Sequence, residues 1–329
     1  MSNSLLELAA QLTRIFVPII IIIGVLSNSL NIILLTRPAL INHACSLYFI
    51  ALAITNTFYS SLLLAVNLLA DGYNLDPTRY SSVFCKILSY LLNFCPTLSV
   101  YFIVFASIDR YFASSISARR RNLSNVHVAR WSIAILIISF VLFFTGTLIS
   151  FDISYNGEYR CTIQSDIFFN QIFLTVHLAI YVIIAPISMI LFGFLTIYNI
   201  KQVRFLPVRI SRYRRTEGQL SRMLFLQVGT HIVLTLPFCV IFSMLILPLP
   251  IQQTENFQFA YIICKIPFYF TVTTSFFLYV LSARVYREEL IRLVETIFKS
   301  RFYISLFATR ATVVITVPSN GHRFSFETS

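Results

Sequence analysis

An all-α membrane protein, a seven-transmembrane helix bundle with a short amphipathic cytoplasmic helix after the seventh span, is the fold class this sequence predicts, on three observations. Of its 329 residues 57% are hydrophobic and only 12% charged, and the mean hydropathy is +0.79, which is no composition for a soluble domain. Apolar runs of about 20 residues, enough to cross a hydrocarbon core as helix, recur near 13–37, 45–70, 82–112, 129–150, 168–198, 220–247 and 257–281. Lys and Arg concentrate in alternate loops between those runs.

Orientation follows from that alternation, because basic loops stay in the cytoplasm. One set of loops holds Arg37, then Arg119, Arg120, Arg121 and Arg130, then Lys201, Arg204, Arg209, Arg212, Arg214, Arg215 and Arg222, and finally Arg284, Arg287 and Arg292. The other set holds Arg14, Arg79 and Arg160 among Asp71, Asp76, Asp152, Glu158, Asp166 and Glu255. The amino terminus is therefore expected outside and the carboxyl terminus inside, in a multi-pass membrane protein. The net charge of +12 reads as this bias and as attraction to the lipid bilayer, not as a nucleic-acid role. Without a charged, cleavable leader pattern ahead of it, the first span is expected to serve as an uncleaved anchor. The resulting organisation is a short extracellular segment at 1–12, a seven-span bundle with its surface helix at 13–298, and a cytoplasmic tail at 299–329.

The third span is bounded by informative residues. Cys85 opens it and Asp109-Arg110-Tyr111 closes it; the separation of 25 residues from Cys85 to Arg110 rises roughly 37 Å as helix, so the two ends face opposite sides of the membrane. Cys45, Cys95, Cys239 and Cys264 fall within or at the cytoplasmic end of spans, where a cysteine is a small hydrophobe. Cys85 and Cys161 instead lie on the outer, oxidising side, and a disulfide between them would clamp the loop after the fourth span over the bundle. That loop, "SFDISYNGEYRCTI", carries Asn156-Gly157 between two β-prone runs, a type I′ hairpin signal; the alternative is an irregular loop with the same disulfide. Pro186 and Pro237 interrupt the fifth and sixth spans, and each removes a backbone hydrogen bond and permits a hinge. After the seventh span, Val285, Leu290, Leu293, Val294 and Ile297 alternate with charges as an amphipathic surface helix does. With 32 Phe and 17 Tyr, the default role of any single ring is lipid contact or packing.

These features together resemble the rhodopsin-like (class A) family of G-protein-coupled receptors, whose third helix starts with a disulfide cysteine and ends in Asp-Arg-Tyr, here Asp109, Arg110 and Tyr111. The resemblance runs over about 13–298. Ser27-Asn28 is similar to the family's Gly-Asn in helix one and Leu52-Ala53 opens its helix-two motif. Trp131 matches the helix-four tryptophan, Pro186 and Pro237 the prolines of helices five and six, and Ser275-Phe276-Phe277-Leu278-Tyr279 stands where the family has Asn-Pro-x-x-Tyr. The resemblance implies a bundle core containing Asn28, Asn56, Ser99, Trp131 and Ser275. It also implies a G-protein switch made of Asp109, Arg110, Tyr111, Glu217 and Tyr279. Glu217 lies 20 residues before Pro237, about 30 Å of helix, which puts it at the inner end of helix six. There the family closes its resting state by a salt bridge to the motif arginine. Implied partners are an extracellular ligand and a heterotrimeric G protein, with arrestin and a receptor kinase at the Ser/Thr-bearing tail.

Departures from the family pattern shape the expected ligand. Asn56 replaces the helix-two aspartate, and a neutral amide binds sodium far less well than a carboxylate; no metal and no cofactor is expected. Thr235 replaces the helix-six tryptophan and Phe276 the helix-seven proline. Leu92 stands where amine receptors carry an aspartate, and Tyr269 where opsins carry the retinal lysine, which disfavours both ligand classes. Lys265, one turn outward of Tyr269, either meets an acidic ligand group or snorkels to the surface. The expected pocket lies between the outer halves of helices three, five, six and seven, lined by Leu92, Cys95, Phe238, Lys265 and Tyr269. A hairpin-type loop and a pocket without a fixed counter-ion are similar to the peptide-receptor branch, and the divergent motifs resemble invertebrate chemoreceptors. No Walker loop, Gly-x-Ser-x-Gly or His-rich metal spacing argues for an enzyme. The rival function is a channel or transporter, which would carry charges at the membrane midplane; here the helix interiors hold only His177 and His231.

Overall fold

The computed structural model describes residues 3–155, 159–163, 167–204, 212–244 and 254–296. In chain order, α1 is Asn3–Leu35, α2 Ala44–Gly72, α3 Ser82–Ser114 and α4 Val126–Ser150. α5 joins Ile167–Leu178, Ala179–Ile184 and Ala185–Arg204, α6 is Arg212–Ser243 and α7 Glu255–Ser282. Among the described residues these seven helices are long and apolar enough to cross a membrane. A further helix, α8, occupies 284–296, as the amphipathic pattern predicts. Residues up to Tyr286 form one compact unit, and a second begins at Arg287; within the second, Arg292 donates to Glu289 at 2.6 Å.

Local chemistry sets the helix ends. The Ser81 hydroxyl accepts from Phe84 N at 3.4 Å and the Asn125 side chain from Val128 N at 2.9 Å, so α3 and α4 begin on capped amides. α1 starts ten residues ahead of its apolar run, at Asn3, because Leu, Glu, Ala and Gln in "SLLELAAQL" are strong helix formers. α6 likewise starts at Arg212, eight residues before its apolar run. α5 widens to a π turn at Ala179–Ile184, where the ring of Pro186 would crowd the carbonyl four residues earlier. The Tyr101 hydroxyl of α3 donates to Ile180 O there at 3.2 Å, satisfying a carbonyl in the loosened turn.

Polar side chains stitch the interior. Asn28 donates to Gly24 O at 2.8 Å and across to Val272 O of α7 at 2.7 Å. Ser99 donates to Asn56 Oδ1 at 3.0 Å, joining α3 to α2. The Tyr286 hydroxyl donates to Asn31 Oδ1 at 2.6 Å. Asn28, Asn56, Ser99 and Ser275 are all buried. Trp131 is a correction: it is 61% exposed and donates to His127 Nε2 at 3.1 Å. It lies on the outside of α4 and not in the bundle core, since an indole with a local acceptor is stable against lipid. In α7, where Phe276 replaces the family proline, the proline inside the helix is Pro267.

Gly24 marks a close crossing of α1 and α2, since a Cβ there would stand 2.6 Å from Ser60 Oγ and 3.1 Å from Ser60 Cβ. Gly24→Ala should therefore destabilise the bundle by about 1–3 kcal/mol, the usual range for overpacking, and lower its thermal midpoint in detergent. Adding Ser60→Ala should recover part of the loss. An unchanged midpoint for Gly24→Ala would show that the crossing is not tight.

Above α3, strands β1 (Phe151–Tyr155) and β2 (Tyr159–Ile163) pair antiparallel with Ile153 opposite Cys161. The hairpin predicted from Asn156-Gly157 is present, but the pairing of Tyr155 with Tyr159 leaves three residues between the strands, one more than a two-residue turn needs. Asn156 and Gly157 themselves lie outside the described residues.

Candidate functional site

Two sites lie at opposite ends of α3. At its first end Cys85 and Cys161 are disulfide-bonded, with Cα atoms 5.6 Å apart. The flap is held a second time: Asp152 of β1 accepts from Ser82 Oγ at 2.5 Å and pairs with Lys86 Nζ at 3.2 Å. The Ser82 hydroxyl, the Ile153 N–H and Lys86 hold the Asp152 carboxyl below its usual pKa. This second tether is absent from the sequence reading, in which Asp152 is only an acid of an outer loop.

Beneath the flap is a cavity of about 300 Å³. Leu92, Phe238, Lys265 and Tyr269 line it. Cys95 is buried in α3 and does not line it, because its neighbours Asn93 and Pro96 take the cavity face. Phe173, Phe242, Tyr261 and Phe268 supply an aromatic wall, with Phe238 stacked on Phe268 at 4.6 Å between centroids. His177, buried against Phe144 and Phe242, lies 3.2 Å from Thr97 Oγ1 and completes the polar part of the lining. Lys265 does not snorkel away: its ammonium is 2.8 Å from Asp71 Oδ2 of α2 and 4.6 Å from the centroid of the Tyr261 ring. An ammonium has three donors, so one bond to Asp71 leaves it able to meet an anionic group. The cavity thus offers flat apolar surface and one oriented cation, a combination for an amphipathic ligand. Sequence spacing had no means of finding Asp71, which is 194 residues from Lys265.

At the other end of α3 Arg110 is 1% exposed and Asp109 5%. Arg110 donates through Nε to Asp109 Oδ2 at 3.1 Å, and its Nη2 pairs with the same oxygen. The other carboxylate oxygen, Oδ1, accepts from Ser124 Oγ at 2.7 Å, a contact that reaches in from the loop between α3 and α4. His43, buried before α2, has its pKa lowered to about 4 by burial and then by the Arg110 guanidinium, so its imidazole is neutral near pH 7. Tyr111 packs on Phe192 of α5 at 5.8 Å, and Asn199 donates to its carbonyl at 3.3 Å. Tyr279 is buried between Phe49 at 5.0 Å and Tyr286 at 5.8 Å.

Glu217 lies in the first turns of α6, and its side chain falls outside the described residues. Two residues on, Gln219 Oε1 accepts from Val285 N at 2.9 Å and ties the first part of α6 to the chain after α7. No group of three or more His, Cys, Asp or Glu able to hold a metal occurs among the described residues.

Comparison with known proteins matches residues 27–282 to the family described as 7 transmembrane receptor (rhodopsin family). Somatostatin receptor type 2 of Sus scrofa and its counterpart from Mus musculus are each 24% identical over 241 residues. The match covers 70% of this chain and 62% of each relative, so the chain spans less than two thirds of their length.

Proposed function

Because this chain belongs to the rhodopsin family of seven-transmembrane receptors, we propose that it binds an extracellular peptide in the outer cavity and activates a heterotrimeric G protein through movement of α6. The observation that carries this reading is the burial of Arg110. A charge pair that only marked the exit of a helix from the membrane would sit in water, where an ion pair contributes roughly 0–1 kcal/mol. A buried arginine paired with a buried carboxylate is instead a group with a costly alternative position, which is what a two-state element requires. Opening of α6 would expose an inner cleft fit for the carboxyl-terminal helix of a G-protein α subunit, a helix-in-groove contact. In this reading the amino terminus is extracellular, the loop between α3 and α4 is cytoplasmic, and the plasma membrane is the site of action. Arrestin and a receptor kinase would meet the tail at 299–329, which lies outside the described residues.

A peptide ligand is supported by the flap, by Leu92 in place of an amine counter-ion, and by relatives named as receptors of somatostatin. The test is a screen of peptide pools against ligand-driven nucleotide exchange, run beside ion and solute flux in proteoliposomes. Flux without exchange would sink the receptor reading in favour of a transporter. For an active peptide, Lys265→Ala should weaken potency about tenfold or more, corresponding to about 1.4 kcal/mol, whereas Lys265→Arg should retain most of it. Unchanged potency in Lys265→Ala and Tyr269→Ala would move the binding site out of this cavity.

A further inference from the structure

We propose that Ser124 is a phosphorylation site, at which an arginine-directed protein kinase releases the Asp109–Arg110 pair from the loop that restrains it. The inference rests on the reading of this loop as cytoplasmic, where ATP is available. Its starting point is that the Asp109 carboxylate is shared: Oδ2 serves Arg110, and Oδ1 accepts from Ser124 at 2.7 Å. Ser124 is thus the one described side chain outside α3 bonded to Asp109.

The segment around Ser124 has the chemistry of a kinase substrate. Residues 116–123 are exposed, and Ser124 itself is half-buried at their end. Arg119, Arg120 and Arg121 form the exposed short helix Ala118–Arg121, so guanidinium groups stand three and five residues ahead of the acceptor hydroxyl. Among the described residues Arg120 and Arg121 bond only neutral oxygens, the Tyr111 hydroxyl at 3.4 Å and the Ile116 carbonyl at 3.1 Å and Ser115 carbonyl at 3.4 Å. Their charge is therefore available to an acidic substrate groove. Reaching the hydroxyl requires the Ser124–Asp109 bond to open and the half-buried Ser124 to turn outward.

The transfer forms a bond between Ser124 Oγ and the γ-phosphorus of ATP. The bond from that phosphorus to the β,γ-bridging oxygen breaks, ADP leaves with the electron pair, and the hydroxyl proton passes to the base of the kinase. The product has lost the hydrogen that Asp109 accepts and has gained about −1.5 to −2 charge. Such a group cannot remain against a carboxylate. It draws on Arg120 and Arg121 instead, and competes with Asp109 for Arg110. The loop leaves α3, and Arg110 keeps a weaker hold on its resting position.

The experiment uses the full chain purified in detergent, incubated with an arginine-directed serine kinase and ATP. Phosphopeptide mapping should find phosphate on Ser124, none at that position in Ser124→Ala, and at least tenfold slower incorporation in Arg119→Ala/Arg121→Ala. Hydrogen exchange over 115–125 should accelerate at least severalfold on phosphorylation. Ser124→Thr, which keeps a hydroxyl, should remain a substrate. Phosphate on other serines with none on Ser124, or phospho-Ser124 with unaltered exchange over 115–125, overturns the proposal. If the loop is released while nucleotide exchange on added G protein stays flat, the site stands and it is the receptor reading that fails.

Discussion

Glu217→Ala is expected to raise ligand-free signalling severalfold above wild type, while Arg110→Ala signals almost not at all, both at normal surface density. The contrast follows from the two jobs assigned to Arg110. In the resting state it is held beside Asp109, and in the proposed latch also across the bundle by Glu217. In the active state its guanidinium would meet the G protein. Removing Glu217 loosens only the resting state, and each 1.4 kcal/mol lost shifts the balance about tenfold. The rise should stay below that for two reasons on the resting side. Asp109 still holds Arg110 through Nε and Nη2, and Gln219 still ties the first part of α6 to Val285 N at 2.9 Å. Arg110→Ala loosens the same state but deletes the group that acts in the other. A pair that merely marked the membrane exit would leave both variants near wild type in a surface-normalised assay of basal signalling.

Cys85→Ser and Cys161→Ser should each cut surface expression strongly, and the double variant should be no worse than either single one. The bond closes a segment of 76 residues, for which the chain-entropy account gives about 4.5 kcal/mol at 25 °C. That is comparable with the whole stability of many domains. Some flap structure should survive, because Ser82 and Lys86 still hold Asp152. Cell-surface labelling, with thermal midpoints of the residual protein, checks both points. Two single variants at wild-type level would mean that the hairpin is held without the bond.

The seven spans were legible because hydrocarbon tolerates no other composition over 20 residues. Their ends were not, because helix propensity carries α1 back to Asn3 and α6 back to Arg212 through residues too polar for the membrane. The disulfide was legible from which side of the membrane each cysteine faces. The facing of Trp131 was not: α4 is apolar nearly all round, so its sequence has no polar stripe to distinguish bundle from lipid, and a family motif gives position along a helix but not rotation about it. Leu92, Phe238, Lys265 and Tyr269, named from their places in the family pattern, line the cavity. Asp71 and Ser124 were not foreseen, since their partners depend on how α2 and a loop are carried by the bundle. A carboxylate at the end of α2 and a serine after three arginines have no local pattern that names Lys265 or Asp109.

The central claim is that Asp109 restrains Arg110 and that Arg110, once released, drives the G protein. It is tested most directly by ligand-free GTP uptake on a purified heterotrimer, with wild-type, Asp109→Asn and Asp109→Asn/Arg110→Ala receptor in nanodiscs. Asp109→Asn keeps the size of the side chain and its Oδ1 acceptor for Ser124 but removes the charge that holds Arg110, so uptake should rise severalfold above wild type. The double variant should fall back to the level of empty nanodiscs. Equal uptake by wild type and Asp109→Asn, or a double variant as active as Asp109→Asn, would contradict the account.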